Sequence, residues 1–333
     1  MKKTMVVLMV ALLMATSAFA QGAKDEAKPM TLKLGHIRDT EHPTNKGAEL
    51  FAKLVEENTN GRIKVQVYAN SQLGGIQEMF TQIKTNDLDF VYGGINTLAF
   101  ISGGEALEIT AIPFLYRDYD HMRACLLSAE FAPALQKAEE ATGLKILNIA
   151  GDTAPRGLTA NRKITTPNDF KGLKIRTAAS DTVVRTMKKL GALPQQIALA
   201  DLWMAMKTNV VDAQENGAIT VNNNSFFEVQ SYYMRTDYIR DIECFYMSPA
   251  LYNKLSEADR AILLDASEKA GALVTSLTAK QLETVYQDLA KHMTVVSEPE
   301  LRLDLFREAL DGLFVDWDGT RWPKGMLEIF KGK

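Results

Sequence analysis

The chain has 333 residues, of which 46% are hydrophobic and 24% charged, with a formal net charge of -3. That is material for a large core, and a norm of ~150 residues per domain points to two lobes. The mild acidity implies no polyanion partner, so no nucleic-acid partner is expected.

In chain order, residues 1–20 read as a signal peptide: Lys2 and Lys3, an apolar run over 5–14, and the A-x-A motif Ala18-Phe19-Ala20. Cleavage is expected after Ala20, giving a periplasmic protein. Without Lys2 and Lys3 there remain 36 basic and 41 acidic residues, a net charge of -5. Residues 21–30 form a flexible polar leader. Residues 31–35 alternate as a strand, and a polar loop covers 36–43. A helix over 44–58 follows, with Ala48, Phe51, Leu54 and Val55 on one face. Ile63, Val65 and Val67 alternate as a second strand, 76–84 is a helix, and 88–93 is a third strand. This alternation is the signature of an α/β fold with a parallel sheet.

Residues 118–127 and 133–142 read as helices, and the apolar run 144–150 as a central strand. A hinge is expected at 151–155, opening a second α/β set. That set holds 157–159, the strand ending at Arg176, a helix over 178–190, residues 192–198, a helix over 201–208, and a strand over 210–214. After a polar, aromatic stretch, 242–248 forms a strand returning to the first lobe. Ser256 and Asp259 open a helix with a capping pattern. Its helical pattern runs to about 292, with a break expected at Gly271, and its length implies a helix bridging both lobes. A last helix spans 299–314.

Arg176 draws attention first. Leu173 and Ile175 alternate with Lys174 and Arg176, which places Arg176 at a strand's carboxyl end before a helix, where α/β sheets bind ligands. Its planar fork suits a carboxylate held by two parallel hydrogen bonds; a solvated strand-end arginine fits the pattern equally well. Arg156, just after the hinge, and Asn216, after the strand over 210–215, are placed to join it. Cys125 and Cys244, the only cysteines, either pair or pack as buried thiols. His121 and Cys125 share a helix face without an orienting third group, which reads as a core Cys beside a surface His. His36 and His42 lack a third ligand, so no metal and no cofactor are expected. Gly74-Gly75 reads as a helix-entry turn rather than an anion cradle.

Several segments resemble the solute-binding proteins of tripartite ATP-independent periplasmic (TRAP) transporters, of the C4-dicarboxylate-binding type. They are Leu34-Gly35-His36 with His42-Pro43, Gln72-Leu73-Gly74, Asp87-Leu88-Asp89-Phe90, Ile112-Pro113-Phe114-Leu115, the run from Asp169 to Arg176, and the run from Val210 to Asn216. The resemblance implies a two-lobe clamshell of the periplasmic-binding-protein kind with a long helix across its back. Lobe I would hold 31–152 and 242–280, and lobe II 153–241 and 281–333. It implies a monomer that performs no chemistry, captures a small carboxylate and delivers it to ion-driven membrane permease subunits. Arg176 would pair with the carboxylate, assisted by Arg156 and Asn216, with Trp203, Glu243, His36, Thr97 and Leu199 completing the ligand-binding set. Trp203, Gly217 and Tyr238 stand where the family often has Tyr, Pro and His. The loop 93–97 has no charged residue, which argues against a heavily hydroxylated sugar acid. Trp203 either stacks on a ring or fills core space. Glu243 either faces solvent or meets an ammonium group; stacking at Trp203 would suit an aromatic ligand and an ammonium at Glu243 an amino-acid-like one. A binding protein of an ABC importer and a periplasmic enzyme are the alternatives.

Overall fold

The computed structural model describes residues 29–333; the expected signal peptide, its cleavage site after Ala20 and most of the leader lie outside them. The chain runs β1 (Met30–Gly35), α1 (Pro43–Asn58), β2 (Ile63–Tyr68), α2 (Ile76–Thr85), β3 (Phe90–Gly94), α3 (Tyr119–Leu126), α4 (Ala132–Thr142) and β4 (Lys145–Ile146). It continues through β5 (Arg156–Ala160), β6 (Lys174–Thr177), α5 (Asp181–Lys189), β7 (Leu193–Gln196), α6 (Leu202–Lys207), β8 (Ala213–Gly217), α7 (Ala218–Asn223) and β9 (Tyr232–Ile239). It closes with β10 (Glu243–Met247), α8 (Pro249–Lys254), α9 (Glu257–Leu289), β11 (Thr294–Val296), α10 (Leu303–Leu310) and α11 (Met326–Gly332).

Two sheets result, ordered β2-β1-β3-β10-β4 and β11-β9-β5-β8-β6-β7. Side chains leave a strand on alternate faces, and both sheets are covered on both faces. In β3, Phe90 and Tyr92 join Phe51 and Phe245 in one core, while Val91 between them joins Phe80 and Tyr246 in the other. Strands covered on both sides carry continuous apolar runs, as β3 and β10 do.

The chain passes between the sheets after β4 and returns after β9. The two connections lie side by side, joined by a bridge between Asp152 and Ile242. Helix α9 is the third link. Leu263, Ala266, Ala270 and Val274 sit in the first-sheet core, and Val285 and Leu289 in the second. Ser256 caps it by accepting the Asp259 N–H at 3.1 Å.

Five expectations are corrected. Helix α9 does not break at Gly271: the glycine lets the helix touch the connection, since a Cβ there would lie 2.4 Å from the Ala150 carbonyl oxygen. The run 144–150 is an edge segment with only two strand residues, not a central strand. The Asn148 side chain takes a ladder position itself, with Oδ1 accepting the Phe245 N–H at 2.9 Å and Nδ2 donating to the Ser267 carbonyl at 3.0 Å. The polar stretch after 222 contains β9, an eight-residue strand. Finally, the end of the segment 281–333 leaves the second sheet: Phe314, Trp322, Met326 and Phe330 bury in the first-sheet core. His121 and Cys125 hold it there, His121 Nε2 lying 2.8 Å and Cys125 Sγ 3.8 Å from the Phe330 carbonyl oxygen. His121 is thus buried, not a surface residue. Cys125 and Cys244 are both buried free thiols.

Candidate ligand-binding site

Sheet topology makes the site. Strands β6 and β8 are parallel, so Arg176 and Asn216 lie near the same sheet edge. Strand β5 is antiparallel to β8 and pairs Arg156 with Gly217, which brings the start of β5 to that edge as well. The first sheet repeats the device. The loop after β1 brings Arg38, the end of β3 brings Gly93 to Thr97, and β10, antiparallel to β3, starts beside them with Asp241 just ahead of it. The two edges face each other across a cavity of ≈ 60 Å³ lined by Arg38, Asn96, Arg156, Arg176, Asn216 and Asp241, among others. It adjoins a wider cleft of ≈ 590 Å³ that shares Arg176 and Leu199.

The charges divide unevenly. Arg156 is spent on Glu215, with Nε 2.5 Å from Oε2 and Nη2 2.7 Å from Oε1, and Tyr238 donates to the same carboxylate at 3.0 Å. Burial opposes the Arg156 charge, but Glu215 more than offsets it and holds the guanidinium above its ordinary value. Arg38 lies 3.9 Å from Glu243 and donates to Thr220 Oγ1 of the opposite lobe at 3.3 Å. Arg176 differs: it is 4% exposed, and its side chain's one hydrogen bond to the described residues runs from Nε to the Ile197 carbonyl at 2.8 Å. Burial pulls it down to about 10, with Arg156 and Arg38 reinforcing and Glu215 opposing. It remains charged at neutral pH with both terminal nitrogens uncommitted, and a buried cation without a counter-charge is costly. An incoming carboxylate would supply that charge through a paired, charge-assisted contact.

Of the expected site residues, Arg156, Arg176, Asn216, Thr97 and Leu199 all line the cavity. Thr97 donates to the Gly94 carbonyl at 2.6 Å, and Asn216 Nδ2 to Gln214 at 2.6 Å. Three others do not line it. His36 is buried behind, paired with Asn45 at 3.1 Å, and burial lowers it to about 4. Trp203 packs half-buried against the α6 core, with Lys207 over its ring. Glu243 is fully buried rather than solvent-facing, accepts from Thr44 at 2.9 Å, and sits behind the cavity beside Arg38. With Trp203 and Glu243 withdrawn, the features that suggested an aromatic or amino-acid-like ligand are absent from the wall. Gly74-Gly75 is a helix entry, and Glu78 accepts the Gly75 N–H at 2.8 Å. Among the described residues no group of three His, Cys, Asp or Glu side chains is placed to hold a metal ion, and no helix is long and apolar enough to cross a membrane.

Sequence reasoning missed Arg38, Asn96, Glu215 and Asp241. Arg38 follows β1 as a strand-end residue, the signal that singled out Arg176. Asp241 carried no such signal, because β9 was not recognised and the crossing between the sheets was invisible.

Residues 34–317 match the bacterial extracellular solute-binding proteins of family 7, the DctP family. The chain belongs to this family. As a TRAP solute-binding protein it has the two-lobe clamshell of its solved relatives. It is 29% identical to the sialic acid-binding periplasmic protein SiaP of Vibrio cholerae, over 87% of this chain and 89% of that one. A TRAP solute-binding protein of Polaromonas bound to D-erythronate superposes with a TM-score of 0.84 at 27% identity, covering 91% of this chain and 98% of that one. Another, from Bordetella bronchispeptica with density interpreted as pantoate, gives 0.82 at 28% identity over 91% and 98%.

Proposed function

We propose that this TRAP solute-binding protein captures a small aliphatic carboxylate between its lobes, anchors it on Arg176, and presents it unaltered to the membrane permease subunits. The observation that carries this reading is the buried Arg176 guanidinium with no ion-pair partner of its own among the described residues, the nearby Glu215 being paired with Arg156. Arg156 and Asn216 line the same cavity, as does Arg38 from the facing sheet edge. The bound molecules of the solved relatives, D-erythronate and pantoate, are small acids of the kind such an anchor would hold. Export through the expected signal peptide, cleaved after Ala20, and action as a monomer complete the proposal. A thermal-shift panel of organic acids on the purified protein tests it, because a ligand bound only by the folded state raises the melting temperature. At least one small carboxylate should raise it in proportion to the logarithm of its concentration. If neutral sugars and amines shift it while carboxylates do not, the reading is wrong.

A further inference from the structure

We propose that Asp241 makes this cleft a receptor for short hydroxylated monocarboxylates and turns C4-dicarboxylates away. The inference rests on Arg176 holding the first carboxylate. Beside Arg176, the cavity offers a second charged group without a full set of partners. Asp241 Oδ1 accepts the Ile242 N–H at 3.0 Å and lies 3.5 Å from the Asn96 nitrogen, while Oδ2 accepts no hydrogen bond from the described residues. Oδ2 rests over Gly94, where a Cβ would lie only 1.9 Å away, so the carboxylate fits there because residue 94 is glycine.

Of the guanidinium groups acting on Asp241, Arg156 is committed to Glu215, while Arg38 donates to Thr220 Oγ1 at 3.3 Å and lies 3.9 Å from Glu243. A second ligand carboxylate arriving at Asp241 Oδ2 meets a like charge there, an arrangement that discriminates by repulsion. A ligand hydroxyl does better. It donates to Asp241 Oδ2, which accepts no hydrogen bond from the described residues. A site built to hydrogen-bond a hydroxyl strongly rejects analogues lacking it. The ≈ 60 Å³ of space suits a chain of four-carbon scale rather than a sugar acid lying wholly within it.

Burial pushes Asp241 up to about 7, with Glu243 adding and Arg156 and Arg38 opposing. Cys244 and Tyr246, packed behind it, are themselves raised and neutral. The repulsion of a dicarboxylate should therefore grow as pH rises through about 7.

Calorimetric titration with D-erythronate and succinate, on wild type, Asp241→Asn and Arg176→Ala, tests the idea, with melting curves confirming each fold. Wild type should prefer D-erythronate at least tenfold at pH 8 and less at pH 6. Asp241→Asn should lose most of that preference by binding succinate more tightly, and should flatten its pH dependence. A wild type that takes succinate as tightly as D-erythronate, or takes neither, overturns the proposal, as does an unchanged preference in Asp241→Asn. Arg176→Ala reports separately: if it binds as wild type does, the anchor reading fails, whatever Asp241 does.

Discussion

At the residue scale, the site is a contest between burial and charge. Arg156 and Glu215 resolve it within the protein, whereas Arg176 and Asp241 leave it for the ligand. Asp241 has a consequence for stability. Its value is raised from 3.8 to about 7, so over that window the folded chain holds a proton the unfolded chain has released. Stability from this group is greatest at the acid end and falls as pH rises toward 7. Asp152, pushed up to about 6 by burial, acts in the same sense, while His36, lowered to about 4, acts in the opposite one. The difference between wild type and Asp241→Asn isolates the group. In ligand-free melting curves from pH 5 to 8, the variant should gain on wild type as pH rises; a constant gap would contradict the assignment.

At the element scale, two contacts decide how the lobes are joined. Helix α9 runs straight past the connection because Gly271 has no side chain. Gly271→Ala should cost about 1–3 kcal/mol through overpacking, read as a lower urea midpoint. If it stabilises the protein, the glycine is merely a weak helix residue and the contact is not limiting. Across the cleft mouth, Asn223 at the end of α7 donates to Asp39 Oδ1 at 3.1 Å, beside the Arg38–Thr220 contact. These bonds join the two lobes across the cleft. Asn223→Ala should weaken ligand binding by about two- to tenfold, a typical net hydrogen bond, mainly through faster release in stopped-flow traces. Equal release rates in variant and wild type would remove the latch. Glu108 shows a further link: from the first lobe it accepts the Asp181 and Thr182 N–H groups at 2.8 and 2.9 Å, so the N-terminus of α5 beside Arg176 is already filled by a protein carboxylate.

At the scale of the whole molecule, the alternating strands and the long helix were legible because hydrophobic period and capping are local signals. Arg176 was legible as a strand-end residue, and its convergence with Arg156 and Asn216 came from family resemblance. What escaped was set by long-range pairing. Strand β9 is hidden by polar Arg235, Thr236 and Asp237, and Glu243 looked solvent-facing because its partners Thr44 and Arg38 lie some two hundred residues away in sequence. This arrangement of the two lobes buries Arg176 without an ion-pair partner of its own among the described residues, so it should be favoured only once a carboxylate is present. The radius of gyration in solution scattering should then fall on adding ligand; no change would argue against hinge closure. The most direct test of the central claim is calorimetric titration of Arg176→Ala and Arg176→Lys with the acid that wild type binds best. Losing a buried charged partner costs about 2–5 kcal/mol. Arg176→Ala should therefore bind at least thirtyfold more weakly, with Arg176→Lys between it and wild type, both keeping a cooperative melt. Unchanged affinity in a folded Arg176→Ala would contradict the claim.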